Sequence, residues 1–261
     1  MYLPLAAVVI AAVIGGHELI GRLSRRLDWS AIGRRRAQAA VVAVLVTLLG
    51  ATTYARNEVY QNDLVFWSDV VAKAPLNGRG HYGLALAYED RGRFDEAVAH
   101  YRRAIELNPK DKVSHNNLAN RLAETAPGEA LLLYKTALKI DPDYADARSN
   151  VARLLARYGQ TAEAIKHCRK AIQLRPKSAQ PRLNLANLLA ESQPDEAIRN
   201  YRQALAVKPD FAEAHFHLAN TLVLSGRISE GVAHLQEALR LQPEWPEARK
   251  NLAILLELPE Q

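Results

Sequence analysis

The sequence predicts an all-α chain in two parts: a two-span transmembrane helical hairpin at the amino terminus, then an α-solenoid of stacked helix pairs. Three observations predict it. Pro75, Pro109, Pro142, Pro176, Pro209 and Pro243 are spaced by 34, 33, 34, 33 and 34 residues. Small residues recur in phase with them. Two stretches almost free of charge, Tyr2 to Gly21 and Ala37 to Ala55, flank an arginine cluster ahead of the first proline. The 261 residues are 49% apolar and 24% charged, which excludes a wholly disordered chain.

The hairpin rests on apolar length and on charge placement. Met1 to Gly16 carries no charged side chain, and about 20 apolar residues suffice for a helix to cross a bilayer core. Ala37 to Ala55 is apolar apart from Gln38 and three threonines, Thr47, Thr52 and Thr53, whose hydroxyls can bond back to carbonyls of their own helix. A secretory signal peptide would carry its positive charge ahead of the apolar run, whereas this chain begins Met1-Tyr2-Leu3-Pro4. The charge instead lies behind, with six arginines in the fifteen residues from Arg22 to Arg36, and short arginine-rich loops stay on the cytoplasmic side. The expectation is therefore that residues 1–56 anchor the chain in a lipid bilayer with both ends outside. That makes it a multi-pass protein of a bacterial inner membrane with every later residue periplasmic. His17 and Glu18, beside Arg22, read as interfacial groups rather than a proton relay.

The same stretch decides the net charge of +6. Its seven arginines against Glu18 and Asp28 contribute +5, which leaves the other 205 residues almost neutral, with signs interspersed. No concentrated cationic footprint remains, so nucleic acid is excluded as a partner. One cysteine, Cys168, makes neither an intramolecular disulfide nor a CxxC pair.

Residues 57–77 read as a linker holding a lone second helix. Behind it the period resolves into five helix-turn-helix units, 78–111, 112–144, 145–178, 179–211 and 212–245, and the segment 246–261 reads as one more first helix that caps the stack. Each first helix carries a small residue after an apolar one: Leu84-Ala85, Leu118-Ala119, Val151-Ala152, Leu185-Ala186 and Leu218-Ala219. Each second helix carries two more, from Ala97 and Ala104 in the first unit to Gly231 and Ala238 in the last. The full-length turns place Gly92, Gly159 and Gly226 at the helix end, where a left-handed backbone is cheapest. The two 33-residue units have shortened turns around Ala126-Pro127-Gly128 and Ser192-Gln193-Pro194.

This period and these small residues, most plainly Leu84-Ala85-Leu86-Ala87-Tyr88 with Ala97, Tyr101, Ala104 and Pro109, resemble the tetratricopeptide repeat (TPR). The resemblance implies a right-handed TPR α-solenoid whose first helices line a concave surface. Upstream, Tyr2-Leu3-Pro4-Leu5 and the bridge from Arg56-Asn57-Glu58 to Trp67-Ser68-Asp69 are similar to the junction in transmembrane and tetratricopeptide repeat proteins, a family of membrane protein O-mannosyltransferases and relatives. In that family the sugar-transfer site lies ahead of the Tyr-Leu-Pro-Leu motif. The resemblance therefore implies a carboxyl-terminal part without the catalytic membrane region, and a separate multispan glycosyltransferase subunit as a possible partner. No catalytic residue carries over, and the chain is not expected to be an enzyme.

The remaining candidates for chemistry read as structure. Histidines cluster at two places in the repeat, His81, His115 and His215 at the fourth residue and His100, His167 and His234 at the twenty-third. Three or four ligands must converge for a metal such as zinc, and repeat spacing separates these, so no metal or other cofactor is expected. Cys168 stands where other units have Tyr101, Tyr134 and Tyr201 and reads as packing. The acidic residues Asp95-Glu96, Glu129, Glu163, Asp195-Glu196 and Glu230 open second helices, where negative charge favours the helix dipole.

Asparagine is the pattern that packing does not require. Asn117, Asn150, Asn184 and Asn251 stand just before the apolar pair of their first helices, and Asn120, Asn187 and Asn220 follow three residues beyond that place. Residues three apart share a helix face. On the resemblance, these seven asparagines face the concave groove. A carboxamide both donates and accepts, so a row of them can hold an extended polypeptide by its backbone. The expected signature is lost binding without lost fold when Asn117, Asn150 and Asn184 become Ala.

Overall fold

The structure, a computed structural model, describes residues 30–257 together with Gly15, Glu18, Leu19 and Arg22. It divides into two units, Met1–Pro75 and Leu76–Gln261. Among the described residues every regular element is a helix.

In the first unit, α1 (Ala31–Gln61) is followed by α2 (Asp63–Lys73). Asn62 separates them and caps α2, its Oδ1 accepting from the Leu64 and Val65 amides at 3.1 and 3.3 Å. The Thr47 hydroxyl bonds back to the Ala43 carbonyl at 2.9 Å. Glu18 and Arg22 form an exposed pair at 3.6 Å.

The two-span hairpin is not upheld. Its first span, Tyr2 to Gly21, lies outside the described residues apart from Gly15, Glu18 and Leu19. Among the described residues no helix is long and apolar enough to cross a membrane. The physical reason is where α1 begins and ends. Arg34, Arg35 and Arg36, expected in a loop, fall in the first turns of this helix, and Arg56, Asn57, Glu58 and Gln61 fall in its last. Polar residues thus occupy both ends of the element, and its apolar middle is shorter than its length. With Arg34, Arg35 and Arg36 inside a helix and no membrane span among the described residues, the argument for sidedness is not upheld, nor are the inner-membrane location and the bilayer as a partner.

The second unit holds helix pairs: α3 (Gly78–Glu89) with α4 (Phe94–Leu107), α5 (Lys112–Leu122) with α6 (Pro127–Ile140), α7 (Ala145–Arg157) with α8 (Thr161–Leu174), α9 (Gln180–Leu189) with α10 (Pro194–Val207), and α11 (Ala212–Leu224) with α12 (Ile228–Leu241). Helix α13 (Pro246–Leu256) follows. Each second helix packs on its own first helix and on the first helix of the next pair, so the pairs stack into a two-layered array whose main core runs from Ala85 to Leu222, with a further cluster of Ala219, Leu235 and Ala248 at its carboxyl-terminal end.

Turn chemistry sets the two pair geometries. Gly92, Gly159 and Gly226 adopt φ of 71°, 70° and 78°, which L side chains rarely take. In the shortened turns, Pro127 and Pro194 instead open the second helix, where a fixed φ and a missing N–H cost nothing. Close packing then explains the small residues. Ala85, Ala119, Ala152, Ala186 and Ala219 are fully buried, as are Ala97, Ala130, Ala164 and Ala197. Gly231 completes that second series at a close helix approach. A Cβ there would stand 2.5 Å from the Val223 Cγ2 and 3.0 Å from the Ala219 carbonyl oxygen.

Between the alanines sit Tyr101, Tyr134 and Tyr201, all buried, with Cys168 buried at the equivalent place. Burial pushes the Cys168 thiol up to about 12, which keeps it protonated and unreactive at neutral pH. On the outer face Arg102, Arg169 and Arg202 reach Glu129, Glu196 and Glu230 of the following second helix at 2.8, 3.3 and 2.8 Å. Such exposed pairs are screened by water and contribute little to stability. Helix α13 closes the stack through buried Ala248 and a Phe216–Trp245 ring stack at 4.5 Å.

Candidate functional site

The first helices lie side by side in one layer, and the asparagines join them. Asn117 Nδ2 makes a long 3.5 Å contact to the Tyr82 hydroxyl, Asn150 Nδ2 donates to Asn116 Oδ1 at 3.1 Å, and Asn184 Nδ2 donates to the Ser149 hydroxyl and carbonyl at 3.1 and 3.3 Å. In all three the sixth residue of one unit bonds the fifth residue of the unit before it. Asn251 reaches back as well, its Nδ2 donating to Asn220 Oδ1 at 3.0 Å. The row is therefore a seam of cross-repeat hydrogen bonds, each worth about 1 kcal/mol net where it is shielded from water.

Asn120 and Asn187, three residues beyond the first row, are used differently. The buried Tyr134 hydroxyl donates to Asn120 Oδ1 at 2.6 Å, and the Tyr201 hydroxyl donates to Asn187 Oδ1 at 2.7 Å. The second helix thereby fixes which way each amide points, oxygen inward. Their Nδ2 groups make no hydrogen bond among the described residues and remain available as donors. Arg153 occupies the same place in the unit between them, is exposed, and has no ion-pair partner among the described residues. Burial holds the Tyr134 hydroxyl up at about 12, against the pull of Arg153 and Arg121.

Exposure grades the seven residues. Asn184 is buried and saturated, its Oδ1 also accepting from Gln180 Nε2 at 3.0 Å. Asn117, Asn120, Asn150, Asn220 and Asn251 are half-buried, and Asn187 is exposed. Asn184 thus departs from the expectation that its removal would spare the fold. Beyond the seven, the seam employs Tyr82, Asn116 and Ser149. All three precede the sixth residue of their own first helix, so the signal was their neighbouring register, not their residue type.

The histidines come together in a way that equivalent positions in successive repeats do not suggest. Within one unit the fourth residue faces the twenty-third, so His81 Nδ1 lies 2.9 Å from His100 Nδ1, and His215 Nδ1 lies 2.9 Å from His234 Nδ1. His215 Nε2 meets the Pro209 carbonyl at 3.0 Å, which places a hydrogen on that nitrogen. With that hydrogen on Nε2, Nδ1 of His215 is the acceptor and His234 the donor. Burial, then the paired ring, holds His100 and His234 below the ordinary imidazole value, with Arg202 adding to the effect on His234. Arg148 and Arg182 do the same work at the fourth residue, donating to the Pro142 and Pro176 carbonyls at 2.6 and 2.9 Å. Donors at this place thus tie Pro142, Pro176 and Pro209 to the unit that follows, while His115 Nδ1 meets the Asp111 carbonyl at 2.8 Å instead. Among the described residues no group of three or more His, Cys, Asp or Glu converges on a metal-sized site.

Two tetratricopeptide repeat models match the chain, one over residues 78–111 and one over 121–166 and 188–255, together more than half of its length. Protein O-mannosyl-transferase TMTC1 of Mus musculus is 32% identical over 126 residues, which is 48% of this chain and 13% of the relative. Protein O-mannosyl-transferase Tmtc3 of Drosophila melanogaster is 24% identical over 205 residues, 72% of this chain and 21% of the relative. The chain thus spans a small part of these relatives, which are animal proteins and lend nothing to a bacterial inner-membrane location. Among solved structures, a thermophilic TPR protein of Thermus thermophilus aligns with a TM-score of 0.58 at 25% identity, covering 69% of this chain and 100% of that one. YrrB, a TPR protein with an unusual peptide-binding site, aligns with a TM-score of 0.54 at 18% identity over 71% of this chain and 96% of its own. The repeating helix pairs, their alanine contacts and these matches agree: the chain belongs to the tetratricopeptide repeat family.

Proposed function

We propose that the open side of the first helices holds an extended polypeptide by its backbone, so that the chain acts as a non-catalytic scaffold between proteins. TPR arrays bind proteins and peptides, and the coarse reading rests on the fold. The finer one rests on a single observation. Asn120 and Asn187 have their oxygens turned inward by buried tyrosine hydroxyls, leaving oriented amide donors on a surface that also carries Asn117, Asn150 and the exposed Arg153. Oriented donors at repeat spacing suit a ligand that offers a backbone carbonyl at regular intervals, with limited regard to its side chains.

The test is panning of a random peptide library against the full chain and against Asn117→Ala/Asn120→Ala/Asn150→Ala/Asn187→Ala. Peptides that bind the parent and lose at least about tenfold in affinity for a variant that keeps its helicity would support the groove. Equal affinity for both would refute it. Asn184 is left intact because its bonds are buried.

A second reading follows from the likeness to the animal O-mannosyl-transferases. In it, the array presents polypeptide substrate to a glycosyltransferase held on another chain or segment. Grafting residues 78–256 in place of the repeats of the mouse relative would test it: retained mannose transfer supports the reading, and loss of transfer from a folded chimera counts against it.

A further inference from the structure

At the carboxyl-terminal end of the first-helix layer the surface changes character. The thirteenth residue of the first four units is Asp90, Glu124, Arg157 or Glu191, all charged, and Arg157 pairs with Glu124. In the fifth unit it is Leu224, which is 87% exposed. The ninth residue is Asn120, Arg153, Asn187 and Asn220 in units two to five, yet in α13 it is Ile254, 51% exposed. These two apolar side chains, with Val223 and Leu255, line a cleft of about 310 Å³ between α11 and α13, rimmed by the bonded pair Asn220 and Asn251. Apart from the half-buried Leu86 of the first unit, the same positions elsewhere carry charge or amide, and leaving large aliphatic groups in water there has no packing benefit. Each is a group whose burial becomes favourable when something covers it.

We infer that this cleft is an anchor subsite for one large aliphatic or aromatic side chain of an extended peptide whose backbone lies along the asparagine row. The inference rests on the proposed groove and adds a sequence preference to it. Three features select this occupant. The volume sits at the lower end of the roughly 300–1,000 Å³ found for small-molecule pockets, suiting one side chain rather than a helix. The walls are aliphatic with no charge among them, which disfavours an acidic or basic anchor. The rim carries two carboxamides continuous with the row that would hold the flanking backbone. Their mutual bond uses one hydrogen of Asn251 and one lone pair of Asn220, and leaves the rest of each amide for a peptide unit.

The experiment uses the full chain and the peptides enriched by random-library panning. Each enriched peptide is resynthesised with its apolar residues replaced by Ser one at a time, and titrated against the parent, Leu224→Glu and Ile254→Asn. The last variant restores the residue type of the earlier units, and both positions are exposed enough for the fold to survive. The expected result is that one replacement costs about tenfold or more against the parent and less than about twofold against either variant, the signature of a shared contact. Peptides that bind through Asn117 and Asn150 but share no apolar anchor would overturn the subsite and leave the groove standing. Absence of any enriched peptide would overturn both. Concentration-dependent dimerisation of the parent, abolished by Leu224→Glu in sedimentation analysis, would give the cleft to a second copy and likewise overturn the proposal.

Discussion

Between paired helices the residue type barely changes along the array, while on the open side of the first helices it changes from unit to unit. Alanine stands at the eighth residue of five successive units and is fully buried in each. The ninth residue one step along the same helices is Leu86, Asn120, Arg153, Asn187 and Asn220. The contrast separates two kinds of repetition. Where backbones approach, geometry dictates identity, because an extra methylene has nowhere to go. Where side chains only bridge neighbours or meet water, geometry dictates no more than a bonding capacity, and several residues supply it.

The contrast is broken most severely from the buried side. Leu218→Ala should lower unfolding free energy by about 2–5 kcal/mol in urea denaturation, because Leu218 is fully buried and the stack cannot collapse around the void. Gly231→Ala should cost about 1–3 kcal/mol despite alanine's better helix propensity, since the added methyl meets the Ala219 carbonyl as well as the Val223 methyl. Val223→Ala in the same chain should recover part of that loss, as judged by melting temperature. A Gly231→Ala variant as stable as its parent would show that the helix approach is looser than described.

The exposed side sharpens the comparison by grading within one residue type. Asn184→Ala should cost about 1–2 kcal/mol, because it strands the Ser149 groups beneath it, whereas Asn150→Ala should cost less than about 1 kcal/mol. Equal costs in parallel melts would remove the distinction between seam and surface. The smallest effect is expected from pH. His100 and His234 are held below the ordinary value of about 6.5 by burial and by His81 and His215, with Arg202 disfavouring and Glu230 and Glu237 favouring a charged His234. The neutral rings thus contribute stability above the unfolded-state value. It is lost as pH falls from there through the lowered folded-state values. The melting temperature should fall between pH 7 and pH 5, and His100→Asn/His234→Asn should flatten that slope.

Legibility followed the same division. The period, the pairs and the buried alanines were readable because they rest on identity repeated in phase. Asn117 and its companions were readable as a row, yet their partners Tyr82, Asn116 and Ser149 were not, because a hydrogen bond between units constrains register and leaves residue type free. The histidine contacts are hidden for a related reason: they join unlike positions within a unit, not equivalent positions along the array. The membrane hairpin failed at a boundary. Residue types alone give the apolar stretches, and nothing in them announces that α1 starts ahead of Arg34 and takes Arg34, Arg35 and Arg36 into its first turns.

The central claim, that oriented asparagine amides on the first helices hold a peptide backbone, is tested most directly by the side-chain amide signals of ¹⁵N-labelled protein. They would be assigned by single Asn→Asp variants and followed as an enriched peptide is added. Shifts in the Asn117, Asn120, Asn150 and Asn187 carboxamides, with the buried Asn184 signal unmoved, are the expected result. Saturable binding that leaves those four signals in place would contradict it and put the ligand on another face of the array.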